Sequence, residues 1–537
     1  MDKSNAVSIR IPFTAKIDNF TNNYNEVIPR QIANEKALQK KNMFTNYAEL
    51  IKDMAAKGYI EEIHDDKPQE GNKVYIPHFA VYKDSPTTPV RIVFDSKAKM
   101  RCGLSYNDCV ATAPDLQQLL TDVLLAFRKG PFCFSVDVVK MFHQVLIPPE
   151  QRDQNRLIFR EPGEKNFKTY RLRTWWMGNT CAPAAVQLAV LKTAEALQKQ
   201  LPLGHEVITC QTYMDDAMGS YFTEKEALDA MLQTIKIFSA CKMNCAKLIS
   251  NSEVIMKALP PEMRLKNWET GDLPGTRILG YFLNAGKDTL STPCDLAQTV
   301  CPTTKRTLLH LLASLYDPIG FHAPYLVLSR ILLQLCWKRG LDWDDPLPPD
   351  LQAEVNKWYK QLPLLNEINF QRCISRKPLK AIFIFCDSSE DAFGCVAYAI
   401  TDDSSYIIAS KGRVHSNKTK NSIPRKELMS AVLAAKMAET LKRNFPGVPI
   451  TFWSDSTNVL SWLKNDWRKY QLFVANRVYY IQSISDPKDW LWIPTALNPA
   501  DIVSRGANLQ DLKDNKFWLH GPAFLTDPKE EWPEKKT

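Results

Sequence analysis

An α+β protein of several domains is predicted by three features of this chain: strand-like runs meeting at Tyr213-Met214-Asp215-Asp216, amphipathic helical stretches such as 115–128, and a last third in which strands and helices alternate. The 537 residues, 45% of them hydrophobic, suffice for more than one core. A net charge of +9 favours a polyanionic partner, but on a chain this long it is a weak signal alone. Thirteen cysteines with no Cys-x-x-Cys pair read as reduced, buried thiols of an intracellular protein. The one long apolar stretch, 308–337, is interrupted by Asp317-Pro318, His322 and Arg330 and does not read as membrane-spanning; no N-terminal signal is read.

Each element has its own signal. Residues 30–62, with Tyr47-Ala48-Glu49-Leu50-Ile51, read as helical. Residues 115–128 repeat Leu116, Leu119, Leu120, Val123, Leu124 and Phe127 at helical spacing, a core stripe. The run from Phe132 to Phe142 is strand-like and carries a single acid, Asp137. An apolar helix is expected over 184–201, then strands over 208–212 and 217–222 with Asp215 and Asp216 in the turn between them. Cys241 and Cys245 fall within one expected helix, and from about Thr289 the pattern turns helical. In the last third, strands are expected at 380–389, 393–398 and 406–410. A helix follows from about Pro424, then a strand ending in Asp455, and a fifth at 490–494 before Asp501.

An acid in an apolar strand is costly unless paired. Alone, Asp137 would cap a turn as readily as serve a reaction. With two adjacent carboxylates in a hairpin it suits two Mg²⁺ ions, or Mn²⁺, one activating a hydroxyl and the other steadying a departing pyrophosphate. That is the chemistry of nucleotidyl transfer.

On these residues the sequence resembles a reverse transcriptase, and over about 30–525 it resembles the pol region of a BEL/Pao-type LTR retrotransposon. The resemblance implies a right-hand polymerase of fingers, palm and thumb, a helical connection, and an α/β ribonuclease H-like domain with a mixed five-stranded sheet. The implied ranges are an N-terminal extension at 1–30, fingers and palm at 31–288, thumb and connection at 289–375, the ribonuclease H-like domain at 376–515 and a tail at 516–537. Asp137, Asp215 and Asp216 match the polymerase metal ligands. Arg91, in Val90-Arg91-Ile92-Val93-Phe94, matches the strand that contacts the incoming triphosphate, with Lys83 as a second contact. Met177 and Gly178 fall where relatives pack against the nascent base pair, although relatives commonly have Phe or Gln at Met177 and Ser at Ala182. Tyr213 precedes the acid pair, Phe142 occupies the sugar-selecting position, and Lys247 sits where a lysine protonates the leaving pyrophosphate. An exposed helix-end lysine is an equally good reading of Lys247. Leu279-Gly280-Tyr281-Phe282 resembles a primer-gripping hairpin.

In the last third, Asp387, Glu427, Asp455 and Asp501 match the four metal ligands of ribonuclease H, a set that suits two Mg²⁺ ions hydrolysing RNA. Residues 492–500 contain no histidine, so the loop histidine of many relatives is missing. The implied partners are an RNA template, a DNA or tRNA primer, deoxynucleoside triphosphates and an RNA–DNA hybrid held by backbone charge, with Lys305, Arg306 and Arg330 as candidate contacts. A dimer or capsid-like particle in the cytoplasm, or a nuclear location, belongs to the same expectation. No Asp-Thr-Gly or Asp-Ser-Gly triplet and no integrase zinc module is read, which speaks against an aspartic peptidase. The competing reading is a catalytically inactive, domesticated nucleic-acid-binding protein. The presence of all seven carboxylates argues against it.

Overall fold

The computed structural model of the chain describes residues 7–20, 22–64, 67, 73–82, 90–265, 275–294, 300–417 and 421–534. The elements begin with α1 (Tyr24–Lys40), α2 (Phe44–Ala56), β1 (Ile60–Ile63), β2 (His78–Tyr82), β3 (Val90–Phe94), α3 (Leu120–Phe127), β4 (Phe132–Val138), β5 (Arg156–Phe159) and β6 (Lys168–Leu172). Next come α4 (Ala182–Leu197), α5 (Pro202–Cys210), β7 (Thr212–Tyr213), β8 (Asp216–Tyr221), α6 (Glu224–Ala240), β9 (Cys245–Ser250), α7 (Glu253–Ala258), β10 (Gly275–Ile278), β11 (Tyr281–Asn284) and β12 (Thr289–Ser291). Helices α8 (Lys305–Ser314), α9 (Ala323–Lys338) and α10 (Pro349–Tyr359) precede β13 (Asn369–Gln371). The final part holds β14 (Ala381–Ser388), β15 (Ala392–Ile400), β16 (Ser405–Val414), α11 (Ile423–Asn444), β17 (Ile450–Ser454), α12 (Thr457–Lys464), α13 (Leu472–Ile484), β18 (Trp490–Trp492), α14 (Ala500–Arg505), α15 (Leu509–Leu512) and α16 (Lys516–His520).

Two compact units result: residues 1–118, 136–217 and 229–248 form the first, and 119–135, 218–228 and 249–537 the second. This division does not follow the sequential ranges expected above. In the first unit β2 and β3 make an antiparallel hairpin, and β1, β6 and β5 a three-stranded sheet. Residues 7–20 pack onto this body: Ile11 and Phe20 are buried, and Trp175 donates its indole N–H to the Ile9 carbonyl at 3.1 Å.

Several expected elements are corrected. Residues 208–210 end helix α5 instead of forming a strand, because Pro202 opens a helical turn and Val207 and Ile208 supply its buried side. The strand before the acid pair is only Thr212–Tyr213. The helix expected over 184–201 is α4 alone, ending at Leu197 before Pro202 starts the next. Helix α3 begins at Leu120, and Leu119 is 57% exposed, so the expected stripe from Leu116 is cut short. Cys241 follows α6 whereas Cys245 opens β9, so they share no helix. Cys102 and Cys210 are exposed, against the expectation of buried thiols. Among the described residues no helix is long and apolar enough to cross a membrane.

The second unit is built on two sheets. β10, β11, β12 and β13 pair antiparallel in that order, so 289–375 is not wholly helical; buried Leu290 and Phe370 face each other in register. The other is a mixed five-stranded sheet, β16-β15-β14-β17-β18, antiparallel across β14–β16 and parallel from β14 to β17 and β18. Strand β15 is buried along its whole length because α11 covers one face of the sheet and α14 the other. Residues 516–532 pack within this unit. Trp518 is buried and donates to the Phe321 carbonyl at 3.2 Å, and Trp532 meets Phe383 and Trp453 edge-on.

Two buried arginines bind the second unit together. Arg372 pairs with Asp288 through Nε and Nη2 and also donates to the carbonyls of Phe127, Gly130 and Pro131. Arg128 pairs with no carboxylate among the described residues; its guanidinium is spent on the carbonyls of Arg372, Gln371, Ile407 and Ile408, and burial pulls its pKa down to about 10. Arg372→Ala would leave Asp288 and the carbonyls of Phe127 and Gly130 without this partner, while Pro131 keeps its bond from Asn251, and is expected to cost roughly 3–5 kcal/mol, read as a lowered urea midpoint with unchanged slope. A shift under 1 kcal/mol would contradict that account.

Asp317 is a third tie. Its Oδ1 accepts from the Tyr281 hydroxyl at 2.6 Å and from the N–H groups of Gly320 and Phe321, and its Oδ2 from the His322 N–H at 2.7 Å. Gly320 has φ +87°, and a Cβ there would stand 1.9 Å from the Ser410 carbonyl oxygen.

Candidate active sites

The first constellation lies within the first unit. Asp137 stands near the end of β4 between buried Val136 and Val138. The Val138 N–H donates to the Asp215 carbonyl at 3.1 Å, and the Val139 N–H to that of Asn244 at 2.9 Å. These bonds hold the Asp137 strand beside both the acid turn and the entry to β9. Tyr213 pairs with Asp216, so Met214 and Asp215 form a two-residue turn, with Met214 at φ 56°. Asp216 therefore starts β8 rather than lying in the turn as expected.

The electrostatics are those of crowded carboxylates. Burial raises the pKa of Asp215, and Asp137 adds to the effect. Asp216 is pushed up to about 7, first by burial and then by Asp215 and Asp137. The Lys247 ammonium pairs with Asp137. Lys247 lies on strand β9 in the left-handed region at φ 53°, so the helix-end reading is overturned.

The nucleotide-contact candidates are placed as follows. Arg91 is exposed on the β2–β3 hairpin opposite Val81, while Lys83 lies outside the described residues. Phe142 is half-buried in the turn Met141–Gln144, and Tyr213 is half-buried on β7. Met177 is 68% exposed. Gly178, at φ +119°, sits where a Cβ would be 2.5 Å from the Phe94 carbonyl oxygen, so only glycine lets this loop lie on the β3 strand. Lys305 is corrected: it is buried against Trp337 and Trp343 and is not free for a polyanion. Arg306 is exposed and paired with Asp344 at 2.7 Å.

The second constellation lies within the second unit. β14 and β17 are parallel with Cys386 opposite Ser454, so Asp387 and Asp455, one residue further on each, leave neighbouring strands at one level. Glu427 comes from the first turns of α11 and accepts from the Ser456 hydroxyl. Asp501 is in the first turn of α14 and accepts from Arg505 at 2.6 Å. Asp387 accepts from Ser504, and Asp455 from Thr495 at 2.7 Å. Burial raises Asp387 to about 6; the Ser504 hydroxyl opposes this while Asp455 and Asp501 add to it. Ser456, Thr495, Ser504 and Arg505 were not singled out in the sequence. Only Arg505, four residues after Asp501, had a readable signal. His415 is a further unforeseen neighbour, 3.0 Å from the Ser388 hydroxyl.

Among the described residues, no three His, Cys, Asp or Glu side chains converge into a preformed metal cage. Hydroxyls and cations instead engage the acids: Lys247 at Asp137, Ser504 at Asp387, Arg505 at Asp501. The donor sets still fit a hard divalent cation, since they are all carboxylate oxygen, and burial first and neighbouring carboxylates second raise Asp216 and Asp387.

Solved structures similar in fold include the foamy viral protease-reverse transcriptase in complex with an RNA/DNA hybrid, with TM-score 0.55 and 14% identity over 84% of this chain and 54% of that one. The same viral protein in complex with dsDNA gives TM-score 0.55 and 15% identity over 84% of this chain and 82% of that one. The chain thus spans about half the length of the first of these. No curated protein matches the sequence. Residues 304–456 match the Pao retrotransposon-like RNaseH-like domain, a segment that starts at the cap of α8 and takes in Asp387, Glu427 and Asp455. Residues 304–456 are thus similar to a Pao retrotransposon-like RNaseH-like domain, in a chain whose fold is similar to that of a viral reverse transcriptase.

Proposed function

We propose that the chain is an RNA-directed DNA polymerase of a retrotransposon with a ribonuclease H activity that removes RNA from the hybrid it makes. The observation that carries this reading is the Asp137 strand lying against the Asp215-Asp216 turn, through the bond from the Val138 N–H to the Asp215 carbonyl, in a chain whose fold is similar to that of a reverse transcriptase. On this reading the first unit supplies fingers and palm. Mg²⁺ held at Asp137, Asp215 and Asp216, and at Asp387, Glu427, Asp455 and Asp501, would supply Lewis-acid activation and charge neutralisation.

The chain's own residues do the rest. Arg91 presents a planar fork of donors to the triphosphate. Lys247, which pairs with Asp137, would give its proton to the departing pyrophosphate. Phe142 blocks a 2′-hydroxyl; Phe142→Val is expected to raise ribonucleotide incorporation by about tenfold or more relative to deoxynucleotide, and an unchanged ratio in single-nucleotide extension would remove that role.

A proton on Asp216 competes with a cation, so ligation is favoured as pH rises through about 7. The Mg²⁺ concentration for half-maximal extension is expected to be higher at pH 6 than at pH 8. The corresponding rise for hybrid cleavage should begin nearer pH 6, the value about which Asp387 titrates. Identical Mg²⁺ requirements at both pH values would contradict this.

Primer extension on an RNA template with deoxynucleotides, followed by cleavage of the RNA in the product, tests the whole reading. Tight hybrid binding without either activity would favour the domesticated binding protein.

A further inference from the structure

A cavity of about 680 Å³ lies within the second unit, walled by the β11–β12 turn, β13, the β15–β16 turn and the end of α16. That volume is in the range of small-molecule sites. Its charges do not balance. Of the acids in the lining, Asp288 is held by Arg372, and Asp403 by Lys377 at 2.6 Å. Lys287 and Arg376, also in the lining, are in no salt bridge among the described residues. Arg128 lines the same space and is 2% exposed. Its four carbonyl partners, and the Phe321 ring 4.8 Å away, solvate the guanidinium without neutralising it. A buried charge left without a counter-charge is costly. Arg128, Lys287 and Arg376 thus face one cavity with no carboxylate left to answer them.

Register separates the cavity from the cleavage acids. Tyr406, in the lining, shares a row with Ala399 and Ile382, whereas Asp387 shares one with Gly394. The two rows are five residues apart along β14, about 17 Å at ordinary strand rise. The cavity is therefore at the opposite end of the five-stranded sheet. Beside its cations the wall offers rings. Tyr406 and His520 meet edge-on with centroids 5.7 Å apart, and the His520 Nδ1 donates to the Ser405 carbonyl at 2.6 Å. In the neutral ring that leaves Nε2 as an acceptor. A bare phosphate would use the cations and leave the ring pair and most of the volume idle, so a phosphate carrying an aromatic group fits better.

We propose that this cavity binds a nucleoside monophosphate, with its phosphate on Lys287 and Arg376 in front of the Arg128 charge and its base against Tyr406 and His520. The site depends on neither catalytic reading. Arg128 bridges the carbonyls of Gln371 on β13 and of Ile407 and Ile408 on β16. A phosphate that offsets its charge would therefore tighten the joint between the four-stranded and five-stranded sheets and stabilise the second unit. Lys287 and Arg376 are exposed, so their replacement leaves the core alone.

The test is isothermal titration of the full chain with AMP, GMP, CMP and UMP, and with adenosine and pyrophosphate, all in EDTA so that no metal-dependent binding at the acids contributes. At least one monophosphate is expected to bind, and AMP to bind about tenfold or more tighter than adenosine. Lys287→Ala/Arg376→Ala should weaken the monophosphate by about tenfold or more and leave adenosine within about twofold. Lys287→Arg/Arg376→Lys should restore it. Tyr406→Ala should weaken monophosphate and adenosine together; if it does not fold, ribose 5-phosphate in place of the nucleotide gives the same readout. Saturating monophosphate should raise Tm by a few degrees, a rise that the Lys287→Ala/Arg376→Ala chain loses. Unchanged affinity in that variant, or no binding of any monophosphate to the unmodified chain, would overturn the site. Pyrophosphate binding as tightly as the monophosphates, with Tyr406→Ala silent, would overturn the nucleotide in favour of an inorganic anion. Primer extension and hybrid cleavage are read separately, so failure here leaves those activities standing.

Discussion

Asp216→Asn is expected to lower RNA-templated primer extension by at least about 10³-fold, the scale of removing one preorganised charged group from a reaction centre. The same variant should gain stability. Asp216 has a folded pKa of about 7, above its ordinary 3.8, so the folded chain binds its proton more tightly than the unfolded chain does. Stability from this group is full below about pH 4 and is lost as pH rises through about 7. At pH 8 without Mg²⁺, Asp216→Asn removes the buried charge and is expected to melt a few degrees higher. Lost extension with a raised Tm separates a chemical role from misfolding. Retained extension would sink the polymerase assignment.

Asp387→Asn is expected to abolish hybrid cleavage, again by about 10³-fold, and to leave primer extension within twofold. Asn keeps the shape and can still accept from Ser504, so the sheet should be undisturbed. Asp387 lies in the second unit and the extension acids in the first. Cleavage that survived in this variant, on gels resolving the RNA strand, would remove Asp387 from the reaction.

The acids were legible because charge inside apolar strands is rare and needs a reason. Asp137 in Phe132–Val138 and Asp387 in Ala381–Ser388 both stand out that way, and the structure puts both near strand ends. The five-stranded sheet was legible for the same reason, since its strands are separate apolar runs. Short β-branched runs misled: Ile208-Thr209-Cys210 looks like strand, but the Pro202 start and the buried Val207 and Ile208 decide for helix. What no local pattern carries is long-range pairing. Arg372 and Asp288, Asp317 and Tyr281, and Trp518 under the Phe321 carbonyl become partners only after folding. Lys305 shows the converse, a basic residue that reads as a surface contact and is buried between two tryptophans.

Arg128 sets a timetable for the chain as it is made. Its donors are answered by Ile407 and Ile408, the latter 280 residues downstream. At about 5–20 residues per second, the ribosome delivers that strand roughly 15–60 s after Arg128 emerges. Until then helix α3 carries a charged guanidinium that has no buried place, so it stays at the surface of the nascent chain. The second unit therefore closes late around its own beginning: Ser220, Ser250 and Asn251 can hold the segment 119–135 early, but the Arg128 guanidinium finds its last partners only once β16 exists. A truncated translation product ending before residue 407 is expected to hold this segment less firmly and to expose Arg128.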